Sequence, residues 1–207
     1  GTADDARRLK PLLADFDPSV AARVAAAIDA LARTTPGAAT TSARAVAAPA
    51  PLPRLPLPTD ADLARLSSVR IVLTVTGRGD VVIRLRPDEA PLNAFRFLRL
   101  AESGYYTGLT FHRIVPAFVA QGGSPLGNEF SGDGPFTRDE VGRLANLRGS
   151  VGLSTRGRDT GDAQFYVNLA DNIRLDHTYT AFAQLETGMD VVDALVEGDV
   201  IERVTVR

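Results

Sequence analysis

The sequence predicts a mainly β fold, a closed or nearly closed eight-stranded β-barrel capped by two helices, with an α-helical hairpin and a Pro/Ala-rich linker in front of it. Three observations carry this. From about residue 69 onward, short apolar segments alternate with period two between glycine-rich turns. Two helical stretches interrupt them, so the inventory is that of a barrel with covered ends. Before residue 34 the apolar period is that of a helix, and between the two regimes lies TTPGAATTSARAVAAPAPLPRLPLP, rich in Pro, Ala and Thr without a repeat.

In chain order, Leu9, Leu12, Leu13 and Phe16 make one helical stripe, and Asp17 and Pro18 supply an N-cap and a proline at the first helical position. Val20, Val24, Ala27, Ile28 and Leu31 make a second stripe. One such pair cannot bury both of its faces, so the hairpin at 1–33 is expected to stack on further helices or on its neighbour, and it is the surface where a protein partner is expected. The stretch LKPLLADFDPSVAARVAAAIDAL resembles a HEAT-type repeat. Residues 34–65 are expected to be linker and 66–207 the barrel domain. VRIVLTVTGRGDVVIRL gives two strands around Gly77-Arg78-Gly79-Asp80, whose glycines permit the positive φ of a hairpin turn; the Arg-Gly-Asp string is read as that turn. APLNAFRFLRLAESG reads as a helix with Leu92, Phe95, Leu98 and Ala101 on one face, stopped by Gly104. Further strands are expected at 109–115, 117–122, 150–154, 164–168, 179–185 and 200–206, with a second helix from Met189 to Val196.

Composition narrows the chemistry. An apolar content of 44% is enough for a real core. The formal net charge of -2, from 23 basic and 25 acidic residues, creates no field that would gather nucleic acid or an anionic membrane. The chain has no cysteine, which excludes disulfides, thiolate metal sites and cysteine nucleophiles. With only His112 and His177, an all-imidazole metal site is not expected. No apolar run is long enough for membrane insertion. Because Gly1-Thr2-Ala3 carries no initiator methionine or signal pattern, the chain is expected to be a soluble piece of something longer. Lys10 is the only lysine among many arginines, a bias expected of a GC-rich bacterial genome.

The stretch with most chemistry is FHRIVPAFVAQGG, residues 111–123. Arg113 keeps its charge at any ordinary pH, so on a barrel wall its guanidinium must reach solvent or a partner. Taken alone it reads as a surface arginine laying its stem on the barrel. Its company points elsewhere: Phe118 and Val119 offer apolar surface, Gln121 an amide, and Gly122-Gly123 close backbone approach. A fixed cation and an amide beside an apolar floor suit a ligand that is half apolar and half peptide. His112 with Asp176-His177 could suggest a hydrolase or a metal site, but no nucleophile elbow accompanies them, and they read as a strand histidine and a turn histidine. The acidic residues Asp133, Asp139 and Glu140 read as a solvated loop, and GNEFSGDGPF lacks phosphate-loop spacing.

FHRIVPAFVAQGGSP, preceded by GYYTGLT and followed by DAQFYVNLADNIRLDHTYTAFAQLETGMDVVDAL, resembles the cyclophilin family of peptidyl-prolyl cis/trans isomerases from about residue 69 to the end. The resemblance implies an eight-stranded antiparallel barrel capped by two helices, an active groove on its outer face, no cofactor, and proline-containing polypeptides as substrates in protein folding. It also implies the site: Arg113 as the catalytic arginine, Phe118 and Gln121 in the groove, Gln164 from the second motif and Leu175 in the proline pocket. Val119 stands where methionine is usual, Tyr166 where phenylalanine is, and Ser154 where alanine is common, while Thr155 would offer its backbone. Tyr179 replaces a histidine, and Arg174 falls where many members carry tryptophan, which implies weak cyclosporin binding. Bacterial relatives implied by this pattern work in the cytoplasm or the cell envelope. The competing expectation is a peptide-binding or scaffolding module with little isomerase activity, because several groove positions are substituted.

Overall fold

The computed structural model describes residues 3–14, 18–34 and 55–207, which fall in two compact units divided after Pro53. Phe16, Asp17 and the linker residues 35–54 lie outside the described residues. In the first unit, α1 (Ala3–Leu9) runs into a 3-10 turn at Lys10–Ala14, and α2 (Pro18–Thr34) follows. The expected stripe through Leu9, Leu12 and Leu13 is therefore not one α-helix. Pro11 has no N–H for the next i→i−4 bond, and the winding changes there. Leu12 and Leu13 are exposed, whereas Val24 of α2 is buried.

The second unit begins earlier than the sequence suggests. Helix α3 (Asp60–Ser68) takes in residues 60–65, which were assigned above to the linker. Its start is a capping box: Asp62 N donates to Thr59 Oγ1 at 3.2 Å, and Thr59 N donates to Asp62 Oδ2 at 2.8 Å. Leu66 on this helix is fully buried in the barrel core, so a domain boundary at residue 66 cuts through a packed element.

The strands are β1 (Arg70–Val75), β2 (Gly79–Leu85), β3 (Thr110–Val115), β4 (Val119–Ser124), β5 (Ser150–Leu153), β6 (Phe165–Asn168), β7 (Ala181–Thr187) and β8 (Ile201–Val206). Among the described residues they form one antiparallel sheet in the order β3-β4-β6-β5-β7-β2-β1-β8. Its two end strands are drawn together: Phe111 N donates to Asp199 O at 2.9 Å and Ile201 N to Leu109 O at 2.8 Å, which brings the sheet round on itself. The β1–β2 turn is Thr76-Gly77-Arg78, with Gly77 at φ 69°, so of the Arg-Gly-Asp string only Arg78 lies in the turn, while Gly79 and Asp80 already pair as the start of β2. Helix α4 (Pro91–Glu102) covers one end, and α5 (Met189–Asp193) is shorter than the stretch expected to Val196, although Leu195 still packs into the core. Gly188 opens α5 at φ 91°; a Cβ there would sit 2.4 Å from the Asp80 carbonyl oxygen, so no other residue fits without a shift.

The interior is aromatic. Phe97 of α4 lies 5.0 Å from the rings of Tyr106 and Phe182 and 5.4 Å, edge-on, from Phe165. Unlike the single face read from periodicity, α4 also buries Phe97 in this interior and Asn93 and Arg96 on another side, which the segment 133–140 covers. Arg96 pairs with Asp133 and donates to the Pro135 carbonyl at 2.6 Å. The Glu140 carboxylate accepts from Leu92 N at 3.0 Å and Asn93 N at 2.8 Å, where the positive end of the helix dipole favours it. Asp139 and Asp159 exchange backbone-to-carboxylate bonds of 2.8 and 3.1 Å. The acidic stretch is thus not a free solvated loop: its carboxylates fasten this segment to α4 and to the 159 turn.

Candidate active site

On β3 and β4, Arg113 pairs with Gln121 while Phe111 pairs with Gly122, so two steps along β3 match one along β4. That is a β-bulge at His112. Regular alternation would turn Arg113 to the same inward face as Phe111; the extra residue re-aims it outward, to the side that Gln121 occupies. His112 takes up the bulge with both ring nitrogens shielded from solvent, and burial pushes its pKa down.

Outside the barrel wall, Val119, Tyr166 and Leu175 form a second apolar cluster, separate from the interior, with Phe118 and Tyr179 packed against it. Arg113, Gln121, Ser154 and Thr155 complete the lining of an open groove of about 200 Å³, and Glu129 is its remaining lining residue. The turn before β4 aims Phe118: Ala117 has φ 55°, and the Phe118 carbonyl accepts from Leu169 N and from Asn172 Nδ2, each at 2.8 Å. Arg174 lies at the rim with its guanidinium carbon 4.4 Å from the Phe118 ring centroid, a cation stacked where the resemblance puts an indole. Gly152 faces Tyr166 across β5 and β6, and a Cβ at 152 would fall 2.2 Å from the tyrosine ring, so the glycine gives that ring its room.

Polar contacts hold this surface rigid. Gln121 Nε2 donates to Ser154 Oγ at 2.7 Å and to Gln164 Oε1 at 2.9 Å, which leaves its own Oε1 for Arg113 Nη1 at 3.4 Å. Gln164 does not line the groove: it is almost fully buried behind Gln121 and fixes that amide's orientation. The Tyr166 hydroxyl donates to Asn146 Oδ1 at 2.7 Å, and burial raises its pKa far above the ordinary tyrosine value, so it stays neutral. Asn146 in turn donates to Asp176 from both N (2.8 Å) and Nδ2 (3.1 Å), and Asn168 and Asn172 continue the same buried net to Ser150. Asp176 is thereby occupied in holding the groove floor, while His177 is exposed. Among the described residues no group of three or more His, Cys, Asp or Glu side chains could hold a metal ion. No helix among them is long and apolar enough to cross a membrane.

Sequence reasoning missed Glu129, Asn146, Asn168 and Asn172. Glu129 lies in an irregular loop that no periodicity marks, and the asparagines read as turn formers until the fold brings them together.

The comparisons with known proteins agree with this geometry. The family model described as "Cyclophilin type peptidyl-prolyl cis-trans isomerase/CLD" matches residues 70–207. A peptidyl-prolyl cis-trans isomerase of Helicobacter pylori (strain ATCC 700392 / 26695) is 38% identical over 133 residues, covering 62% of this chain and 82% of that protein. Isomerase B of Bacillus subtilis (strain 168) is 33% identical over 129 residues, 61% of this chain and 90% of its own. The crystal structure of a cyclophilin type isomerase from Cryptosporidium parvum, in the presence of the dipeptide Ala-Pro, superposes with a TM-score of 0.63 at 23% identity, over 67% of this chain and 98% of that one.

Proposed function

The chain belongs to the cyclophilin family and is a peptidyl-prolyl cis-trans isomerase, and we propose that it turns X-Pro bonds of polypeptides in the groove between Arg113 and the Val119–Tyr166–Leu175 floor. The observation that carries this reading is a charged donor, Arg113, held by Gln121 at the edge of an apolar floor. Rotation about an X-Pro bond breaks amide resonance against a barrier of about 18–20 kcal/mol. In the twisted state the proline nitrogen becomes pyramidal and regains a lone pair. Arg113 can donate to that lone pair only then, so the contact favours the transition state over either ground state. Phe118, Val119, Tyr166 and Leu175 hold the ring, with Tyr179 beside them, while Gln121, Ser154 and the backbone at Thr155 hold the flanking peptide. No bond is made or broken, and every group needed is in the chain. The Ala-Pro dipeptide of the Cryptosporidium structure is the kind of ligand this groove would take.

Arg113→Ala tests the reading. Loss of one charge-assisted donor to the transition state is expected to lower kcat/KM by about a hundred- to a thousandfold, equivalent to about 2.7–4 kcal/mol. The melting temperature should hardly move, because the guanidinium is a third exposed and sits outside the core. An unchanged rate for an Ala-Pro peptide would remove Arg113 from the mechanism.

A further inference from the structure

We propose that Glu129 is a positioning residue for Arg113, holding one edge of the guanidinium so that the other can meet the twisted peptide. Glu129 Oε1 lies 3.2 Å from Arg113 Nε, and Gln121 Oε1 accepts from Nη1 at 3.4 Å. One ion pair and one hydrogen bond, from different segments, thus hold two edges of the fork and leave Nη2 unengaged among the described contacts.

The loop that carries Glu129 is fastened on both sides of it. Gln164 Nε2 donates to the carbonyls of Asn128 at 3.1 Å and Ser131 at 2.5 Å. Arg156 Nη1 donates to the Glu129 carbonyl itself at 2.9 Å, while its Nη2 is tied to the buried Asp162 at 2.7 Å. Asn128 Oδ1 closes the turn by accepting from Phe130 N and Ser131 N. One buried amide, Gln164, therefore sets both partners of Arg113: its Oε1 orients Gln121 and its Nε2 places the Glu129 loop. An ion pair with a carboxylate 53% exposed contributes little to stability, so the pinned backbone is better explained by what the carboxylate orients than by what it stabilises. A guanidinium held on one side only would sample orientations that miss the proline nitrogen, and misplacement of that order costs rate rather than binding.

The inference rests on Arg113 being the donor, and the experiment separates the two ideas. Full-length parent, Glu129→Ala, Glu129→Asp, Glu129→Gln, Arg113→Ala and the Arg113→Ala/Glu129→Ala double variant are compared on an Ala-Pro peptide, with kcat and KM resolved and thermal unfolding on the same samples. Glu129→Ala is expected to lower kcat about tenfold with KM nearly unchanged, as for a loss felt in the transition state. Glu129→Gln, which keeps an acceptor at the same reach, should recover most of the rate, and in the Arg113→Ala background the alanine should cost nothing further. Glu129→Asp draws the carboxylate back by one carbon and should lose nearly as much as alanine, which keeps the test valid if alanine disturbs the loop. Parental or faster rates in Glu129→Ala and Glu129→Asp, or an equal loss in both Arg113 backgrounds, overturn the positioning role. A parental rate in Arg113→Ala alone overturns the assignment of Arg113 instead.

Discussion

Phe165 and Tyr166 are neighbours on β6, both buried, and they face opposite worlds. Phe165 points into the barrel, edge-on to Phe97, Tyr106 and Phe111, where packing is carbon against carbon. Tyr166 points into the outer cluster, edge-on to Tyr179 and hydrogen-bonded through its hydroxyl to Asn146. The interior is filled, so it converts burial into stability. The groove is left partly empty and is stiffened from behind by amides, so its shape survives without a dense core. The groove accommodates Tyr166 and Arg174 in the same way: a hydroxyl is satisfied by Asn146, and a cation stacks on Phe118.

The contrast can be tested from the interior outward. Phe165→Ala empties a fully buried ring site and should cost about 3–5 kcal/mol in denaturant unfolding. A loss below about 1 kcal/mol would mean that the aromatic cluster is not what holds the barrel.

Chain length at the first barrel helix should come next. A protein starting at residue 55 keeps the Thr59 cap and the buried Leu66 and is expected to melt as the full chain does. One starting at Leu66 loses the frame of α3 and should be less stable by about 2–5 kcal/mol, the range for emptying a buried leucine site. Equal melting of the two would show that α3 is ornamental to the barrel.

At the groove, Tyr166→Phe removes one hydroxyl bond but keeps the ring, and Asn168 Nδ2 at 3.3 Å still supplies a donor to Asn146 Oδ1. The expected cost is about 1 kcal/mol of stability, with isomerase rate nearly kept. A large fall in rate would show that the hydroxyl shapes the floor and does more than satisfy Asn146.

The smallest effect is a pH dependence at the bulge. Burial lowers the His112 pKa, so the unfolded chain takes up the proton first as the solution is acidified. Stability from this group is complete above the ordinary histidine value of about 6.5 and is lost as pH falls from there through the lowered folded value. Melting at pH 7.5 and 5.5 should therefore differ less in His112→Gln than in the parent. The same acid loss in both would assign it to other groups.

Much of this was legible in the chain itself. Short apolar runs between turns marked every strand to within two residues, alternating where one face is solvated, as in β2, and continuous where both faces are covered, as in β5 and β6, and the 111–123 stretch announced a cation, an amide and apolar surface side by side. Local signals also found α4, but they showed only the face turned to the barrel; the second buried face depends on Asp133, Pro135 and Glu140, more than thirty residues away. Glu129 and the asparagine net were illegible for the same reason, since a hydrogen bond between distant residues leaves no periodic trace. The first unit shows the converse, a local signal misread: the Leu9–Leu12–Leu13 stripe had helical spacing, but Pro11 within it already carried the break.

By itself, the sequence determined which residues could do this chemistry, because charge, amide and apolar surface are properties of side chains. It could not determine which way they point. Counted by twos from Phe111, Arg113 belongs in the core; only the paired strand, with Gly122 opposite Phe111 and Gln121 opposite Arg113, creates the bulge at His112 that turns it out to the groove. Facing is set by register between two strands, and register is a relation that no single strand carries.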